Sequence, residues 1–250
     1  MIRFVLHRPR SSQNIGAAAR ALANTAAGPL WVVEPVGFDR AQAARLAAGA
    51  DAVLEQMQVV PTLDDALADC VEILMTSGRP VAGLPLLTPR EAAQRLLGAR
   101  GEAALVFGDE VRGLGNRELR RAAAIATIPT VEKASLNLAQ AVLVFGYEVM
   151  LARGDGLPGK GRPAAGPHPQ APALVLDPQD PKHAPADERL LGILRARAQS
   201  LLLDRGFLNP QQPDVILDEL VRLLRRAAPS RREVELLLAA CDQLARPPSG

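Results

Sequence analysis

Two rhythms divide this chain. Over residues 1–153, short apolar runs alternate with longer stretches in which Ala, Leu and charged residues recur at helical spacing. The runs at 2–6, 30–33, 58–60, 72–76, 104–108 and 125–129 predict strands, and the stretches 14–27, 40–48, 63–69, 89–97 and 116–123 predict helices. Asp39, Thr62, Thr88 and Asn116 suit N-caps, Asn14 can cap the first helix, and Pro89 suits a first helical position. Strict alternation of strand and helix implies an α/β fold with a parallel sheet covered on both faces. After residue 129 a polar loop opens a further helix, with Ala134 or Ser135 at its start. From Leu136 through Phe145 that helix is apolar nearly all round, which predicts burial.

The second rhythm starts at residue 154. Residues 154–186 are dense in Pro, Gly and Ala and keep no period, the pattern of a linker. Three helical patterns follow at 187–205, 212–227 and 230–244. In the second, Ile216, Leu220, Leu223 and Leu224 share a face, and Ser230 with Glu233 can form a capping box for the third. The expected organisation is an α/β domain over 1–153, a linker over 154–186 and a small all-α domain over 187–250.

Composition then narrows the partners. Aromatics are only 3% of residues, so binding platforms of stacked aromatic rings are disfavoured. A net charge of +2 is too small to define an anionic partner, and any basic surface must be local. Cys70 and Cys241 form no CxxC pair, and neither an export signal nor a run of about 18 apolar residues is present. The expectation is a cytoplasmic protein with no membrane partner. His7, His168 and His183 offer no zinc spacing, so no metal is expected. Residues 154–160 begin like a phosphate loop, but Gly161 stands where a Ser or Thr should hold magnesium. The GxGxxG dinucleotide fingerprint does not follow the first strand.

Three segments are harder to explain as packing alone. In Asn14-Ile-Gly16-Ala-Ala-Ala-Arg20, a small-residue helix face projects a fixed cation. In Phe107-Gly108-Asp-Glu110-Val-Arg-Gly113-Leu114, a buried strand delivers carboxylates at its C-terminal edge, where open α/β sheets place ligands. In Ile128-Pro129 followed by Ser135-Leu136-Asn137, a polar loop opens the last helix of the domain, and its polar groups need partners.

In this order and spacing the segments resemble the three motifs of the SPOUT (SpoU/TrmH-type) RNA ribose methyltransferases. These are N-x-G-x-x-x-R, F-G-x-E-x-x-G-L and I-P-x-x-x-x-x-S-L-N, and the likeness spans residues 1–152. It implies a parallel sheet with a deep C-terminal trefoil knot, a rare exception to unknotted chains. It also implies an S-adenosyl-L-methionine cofactor, an RNA substrate and a homodimer. Thr76-Ser77-Gly78-Arg79, residues 206–210 and the basic stretch 222–227 are similar to a tRNA (cytidine/uridine-2′-O)-methylating subgroup with a helical C-terminal extension. That resemblance implies methylation of a tRNA ribose at the cytidine or uridine of position 32 in the anticodon loop. Another tRNA position, ribosomal RNA, and a non-catalytic RNA-binding member are the alternatives. By the same resemblance Arg20, Glu110, Ser135 and Asn137 form the catalytic set. Thr76, Ser77, Gly78, Gly108, Ile128, Ser135 and Leu136 hold the cofactor, and Asn14 with Arg20 meets the RNA.

Overall fold

The apolar runs become strands with two buried faces. In the computed structural model, which describes residues 1–131, 136–155 and 184–245, the chain divides into two units, 1–165 and 166–250. The first unit holds β1 (Ile2–His7), β2 (Leu30–Val33), β3 (Gln58–Val60), β4 (Cys70–Thr76), β5 (Leu86–Leu87), β6 (Glu102–Phe107) and β7 (Ala124–Ala126). They form one parallel sheet in the order β3-β2-β1-β6-β4-β7-β5. Alternate residues feed opposite cores. Phe4, Leu6, Leu74, Leu105 and Phe107 enter one cluster, and Val5, Ile73, Met75, Ala104 and Val106 the other. Burial on both faces explains why the strands read as continuous hydrophobic runs.

The first core is covered by α1 (Ser12–Thr25), α2 (Arg40–Leu46), α3 (Asp51–Gln56), α5 (Pro89–Leu97) and α7 (Leu138–Arg153); the second by α4 (Leu63–Leu67) and α6 (Asn116–Leu119). Asp39, Thr62 and Thr88 cap α2, α4 and α5 as expected, the last two in full capping boxes. Asn14 is not a cap: α1 starts at Ser12, and Ser11 accepts from the Asn14 amide. Asn116 is also inside its helix, because Gly115 takes the cap position. α3 and β5 escaped the sequence reading, being six and two residues long and too short to show a period. The strand expected to reach residue 129 ends at Ala126.

Two apolar helices are oriented differently from expectation. α7 buries Leu138, Val142, Phe145 and Val149 but leaves Leu143 44% and Tyr147 50% exposed. Its N-cap is Asn137, not residue 134 or 135, because the Asn137 carboxamide reaches the amides of Ala139 and Gln140. Gly154 closes the helix at φ 82, a left-handed turn that favours glycine. The second unit contains α8 (Glu188–Asp204), α9 (Asp214–Ala227) and α10 (Arg231–Ala245) around Leu191, Leu194 and Val234. The Ser230–Glu233 capping box forms. α9, however, buries Leu217 and Val221; of the expected face, Leu224 packs against the same core while Ile216, Leu220 and Leu223 face outward. Its apolar side is wider than one contact face, and ion pairs of Arg225 with Glu188 and of Asp214 and Asp218 with Arg195 fix its rotation. Of the linker expectation, residues 156–183 lie outside the described residues. No helix among the described residues is long and apolar enough to cross a membrane.

Candidate active site

β6, β4 and β7 are neighbours in a parallel sheet, so their C-terminal ends open on one edge. A cleft of about 570 Å³ lies there. Its walls are apolar (Phe107, Leu114, Ala126, Leu138 and Phe145), and its rim is formed by the residues after β4 and β6. Thr76, Ser77, Gly78, Gly108, Glu110, Ile128 and Leu136, far apart in sequence, all line it. Ser135 lies outside the described residues.

Each rim loop is held by its own side chains. After β4, the Thr76 hydroxyl donates to the Val106 carbonyl (3.1 Å), and the Ser77 hydroxyl donates to the Arg79 carbonyl and accepts from its amide. After β6, Asp109 accepts from the amides of Val111 and Arg112, both at 2.7 Å, while the Gly113 amide donates to the Asp109 carbonyl. Burial opposes ionisation of Asp109. The two backbone N–H donors and the nearby Arg10 charge outweigh it and hold the carboxyl below its ordinary value. This turn folds so tightly that a Cβ on Gly108 would lie 2.2 Å from the Gly113 carbonyl carbon. The close approach that requires glycine here is to the protein's own loop.

A relay of hydrogen bonds joins the three segments singled out in the sequence. Glu110 accepts from the Arg10 amide (2.8 Å), the Ser11 amide (3.2 Å) and the Asn14 carboxamide (2.9 Å). The Asn14 oxygen accepts from the Asn137 carboxamide at 3.0 Å, and the Asn137 oxygen caps α7. Asn14 and Asn137 therefore lie outside the cleft lining; Asn14 is bonded to Glu110, which reaches it, and Asn137 is linked to Glu110 only through Asn14. Arg20, one and two-thirds turns along α1 from Asn14, is exposed and makes no hydrogen bond or ion pair among the described residues. It is not part of the cleft wall.

Arg79 and Arg112, which sequence reasoning did not select, also line the cleft. The only signal available was their position, directly after Thr76-Ser77-Gly78 and inside the Gly108–Gly113 loop. Among the described residues, no group of three His, Cys, Asp or Glu could hold a metal ion.

A parallel sheet with a ligand-sized cleft at the ends of three adjacent strands defines the class: an α/β protein whose site lies at the carboxyl edge. Residues 1–147 match the SpoU rRNA Methylase family, and the chain belongs to that family. The chain is 39% identical over 241 residues to tRNA (cytidine/uridine/adenosine-2′-O-)-methyltransferase TrmJ of Pseudomonas aeruginosa (strain UCBPP-PA14), covering 94% of this chain and 90% of that relative. It is 37% identical over 251 residues to tRNA (cytidine/uridine-2′-O-)-methyltransferase TrmJ of Klebsiella pneumoniae, covering 97% and 96%. The crystal structure of TrmJ from Z. mobilis ZM4 superposes with a TM-score of 0.80 at 29% identity, over 98% of this chain and 100% of that one.

Proposed function

We propose that the chain transfers a methyl group from S-adenosyl-L-methionine to a ribose 2′-hydroxyl of tRNA, at the cytidine or uridine of position 32 in the anticodon loop. The observation that carries this reading is the relay Glu110–Asn14–Asn137, which binds all three motif segments together beside the cleft and leaves Arg20 free on α1. Near-full-length likeness to tRNA methyltransferases favours tRNA over ribosomal RNA.

The cleft fits the cofactor. Its volume is within the roughly 300–1,000 Å³ usual for such ligands, with apolar walls for a base and backbone-rich edges for polar groups. When bound, S-adenosylmethionine supplies a methyl group already activated on a sulfonium. Residues 76–78, Gly108, Ile128 and Leu136 would hold it through backbone groups, and by the sequence resemblance Ser135 would belong to the same set.

The ribose hydroxyl is a weak nucleophile and must be positioned as it loses its proton. A guanidinium is a poor proton acceptor, so the part of Arg20 is to hold the neighbouring phosphate and stabilise charge developing on the 2′-oxygen. Glu110 has its oxygens committed to three N–H groups, which suits it to fixing the start of α1. Asn14 and Asn137 extend that grip to α7, so the arm that carries Arg20 and the helix that closes the cleft move together.

The same reading includes a methyltransferase domain over 1–153 containing the trefoil knot, a linker over 154–186 and an all-α domain over 187–250 that contributes to tRNA binding, in a cytoplasmic protein. It includes a second copy of the chain, for which the outward apolar residues Leu143 and Tyr147 on α7 are a suitable surface. Arg20→Ala should lower methyl transfer to a tRNA transcript by about a hundred- to a thousandfold while cofactor affinity by calorimetry is nearly unchanged. Parallel loss of both would refute the role given to Arg20. Mapping the methylated ribose to any nucleotide other than 32 would overturn the assigned position.

A further inference from the structure

Four ionisable side chains line the cleft: Arg79, Asp109, Glu110 and Arg112. The two acids are already occupied. Glu110 is taken up by Arg10, Ser11 and Asn14, and Asp109 by two loop amides with Arg10 alongside. The hydrogen-bonding capacity of the two arginines is not filled in the same way. Arg79 donates to the neutral Asn116 oxygen at 3.1 Å, and the Arg112 guanidinium makes no hydrogen bond or close ion pair among the described residues, although its charge is one of those that lower the Asp109 carboxyl. Both are exposed. The mouth of the cleft therefore presents two guanidinium groups whose N–H donors the protein leaves largely unused.

Both arginines are also pre-organised. The Arg79 backbone is fixed by the Ser77 hydroxyl, and the Arg112 backbone by the Asp109 carboxylate. The loops that carry them leave β4 and β6, which are paired in the sheet. Anchored backbones with free cationic ends reduce the ordering cost of gripping an anion. Guanidinium groups are suited to phosphate oxygens, which they can bind two at a time.

We infer that Arg79 and Arg112 form a phosphate-binding pair at the cleft mouth that seats the RNA backbone next to the target ribose, distinct from Arg20 on α1. This rests on the methyltransferase reading. A phosphodiester fits the pair better than the cofactor's amino-acid end does. That end carries its own ammonium beside its carboxylate and so exerts little net attraction on two cations, whereas a phosphodiester carries an uncompensated negative charge.

Arg79→Ala, Arg112→Ala, the double variant and Arg79→Lys would be compared with the full-length protein. The readouts are affinity for an unmodified tRNA transcript across a salt series and calorimetric affinity for S-adenosylhomocysteine and 5′-methylthioadenosine. Losing one phosphate contact should reduce the slope of log affinity against log salt by about 0.7–0.9. That corresponds to roughly five- to eightfold weaker tRNA binding near 0.1 M salt, disappearing near 1 M. The double variant should lose about twice the slope, Arg79→Lys should retain it, and the affinities for both small molecules should not change. The pair is refuted if tRNA binding and its salt slope stay at the wild-type value. It is equally refuted if S-adenosylhomocysteine binding weakens while 5′-methylthioadenosine binding does not, which would place the cofactor carboxylate on the arginines. Absence of methyl transfer by the wild-type protein would instead count against the function itself.

Discussion

Replacing Glu110 by Gln separates a residue that positions the site from one that takes part in the chemistry. The carboxylate accepts three N–H groups, at 2.8, 3.2 and 2.9 Å. Gln keeps the shape but turns one oxygen into a donor that meets another donor. Hydrogen bonds to a charged group contribute about 1.5–3 kcal/mol each and neutral ones about 0.5–1.5. These three are solvent-exposed, so water recovers part of the loss, and a net cost of about 1–2 kcal/mol is expected. For a protein of this length that lowers Tm by roughly 2–8 °C. Asn14→Asp alone should also destabilise, since it sets a second carboxylate against Glu110. Combined, the two changes restore a complementary contact. The new carboxamide at position 110 donates to the new carboxylate at position 14, which still accepts from Asn137. The double variant should therefore be more stable than the sum of the single losses predicts, by about 0.5–1.5 kcal/mol. Thermal denaturation and single-turnover methyl transfer should recover together. If Glu110→Gln kept its Tm, lost transfer by orders of magnitude and was not rescued by Asn14→Asp, Glu110 would be acting on the reactants.

Two further changes test other links. A Cβ on Gly16 would lie 2.0 Å from the Ala43 carbonyl oxygen, so Gly16→Ala must push α2 from α1. It should cost about 1–3 kcal/mol despite the better helix propensity of Ala, and a raised Tm would show that α2 yields freely. His7, at the end of β1, is held below its ordinary value of 6.5, chiefly by burial and also by Arg8, although Glu118, Glu34 and Asp109 pull the other way. The unfolded chain then takes up a proton at higher pH than the folded one, so stability is complete above about pH 6.5 and declines as pH falls below it. His7→Gln should flatten the dependence of Tm on pH between about 7.5 and 5.5, and an unchanged slope would exclude His7 as its source.

The strands and most helices were legible because their signals are local: runs such as Leu105-Val106-Phe107, and caps such as Thr62 and Thr88. What sequence could not show was the use made of each polar group. Asn14 has the right chemistry for a cap, but Ser11 lies three residues earlier and takes that part, freeing the Asn14 carboxamide for partners 96 and 123 residues away. No periodicity encodes bonds of that separation. The rotation of α9 was hidden for a related reason. Its stripe of Ile216, Leu220 and Leu223 and its stripe of Leu217, Val221 and Leu224 are equally apolar, and charges on α8 decide between them. At Gly108 the residue type was informative, but the backbone that crowds it belongs to its own loop.

The pairing of β1 with β6 also sets a schedule for making the protein. Ile2 faces Ala103, so the second neighbour of β1 does not exist until 101 further residues have been joined. At about 5–20 residues per second, synthesis takes on the order of 5–20 s to supply it. During that interval the nascent chain can form β1 with β2, whose register lies within the first 33 residues. The other side of β1 then carries unpaired amides and carbonyls. Parallel pairing across so long a loop is slow to close even once both strands are available. For those seconds the strand destined for the middle of the sheet is an outer edge, and the ribosome-bound chain is most exposed to aggregation there.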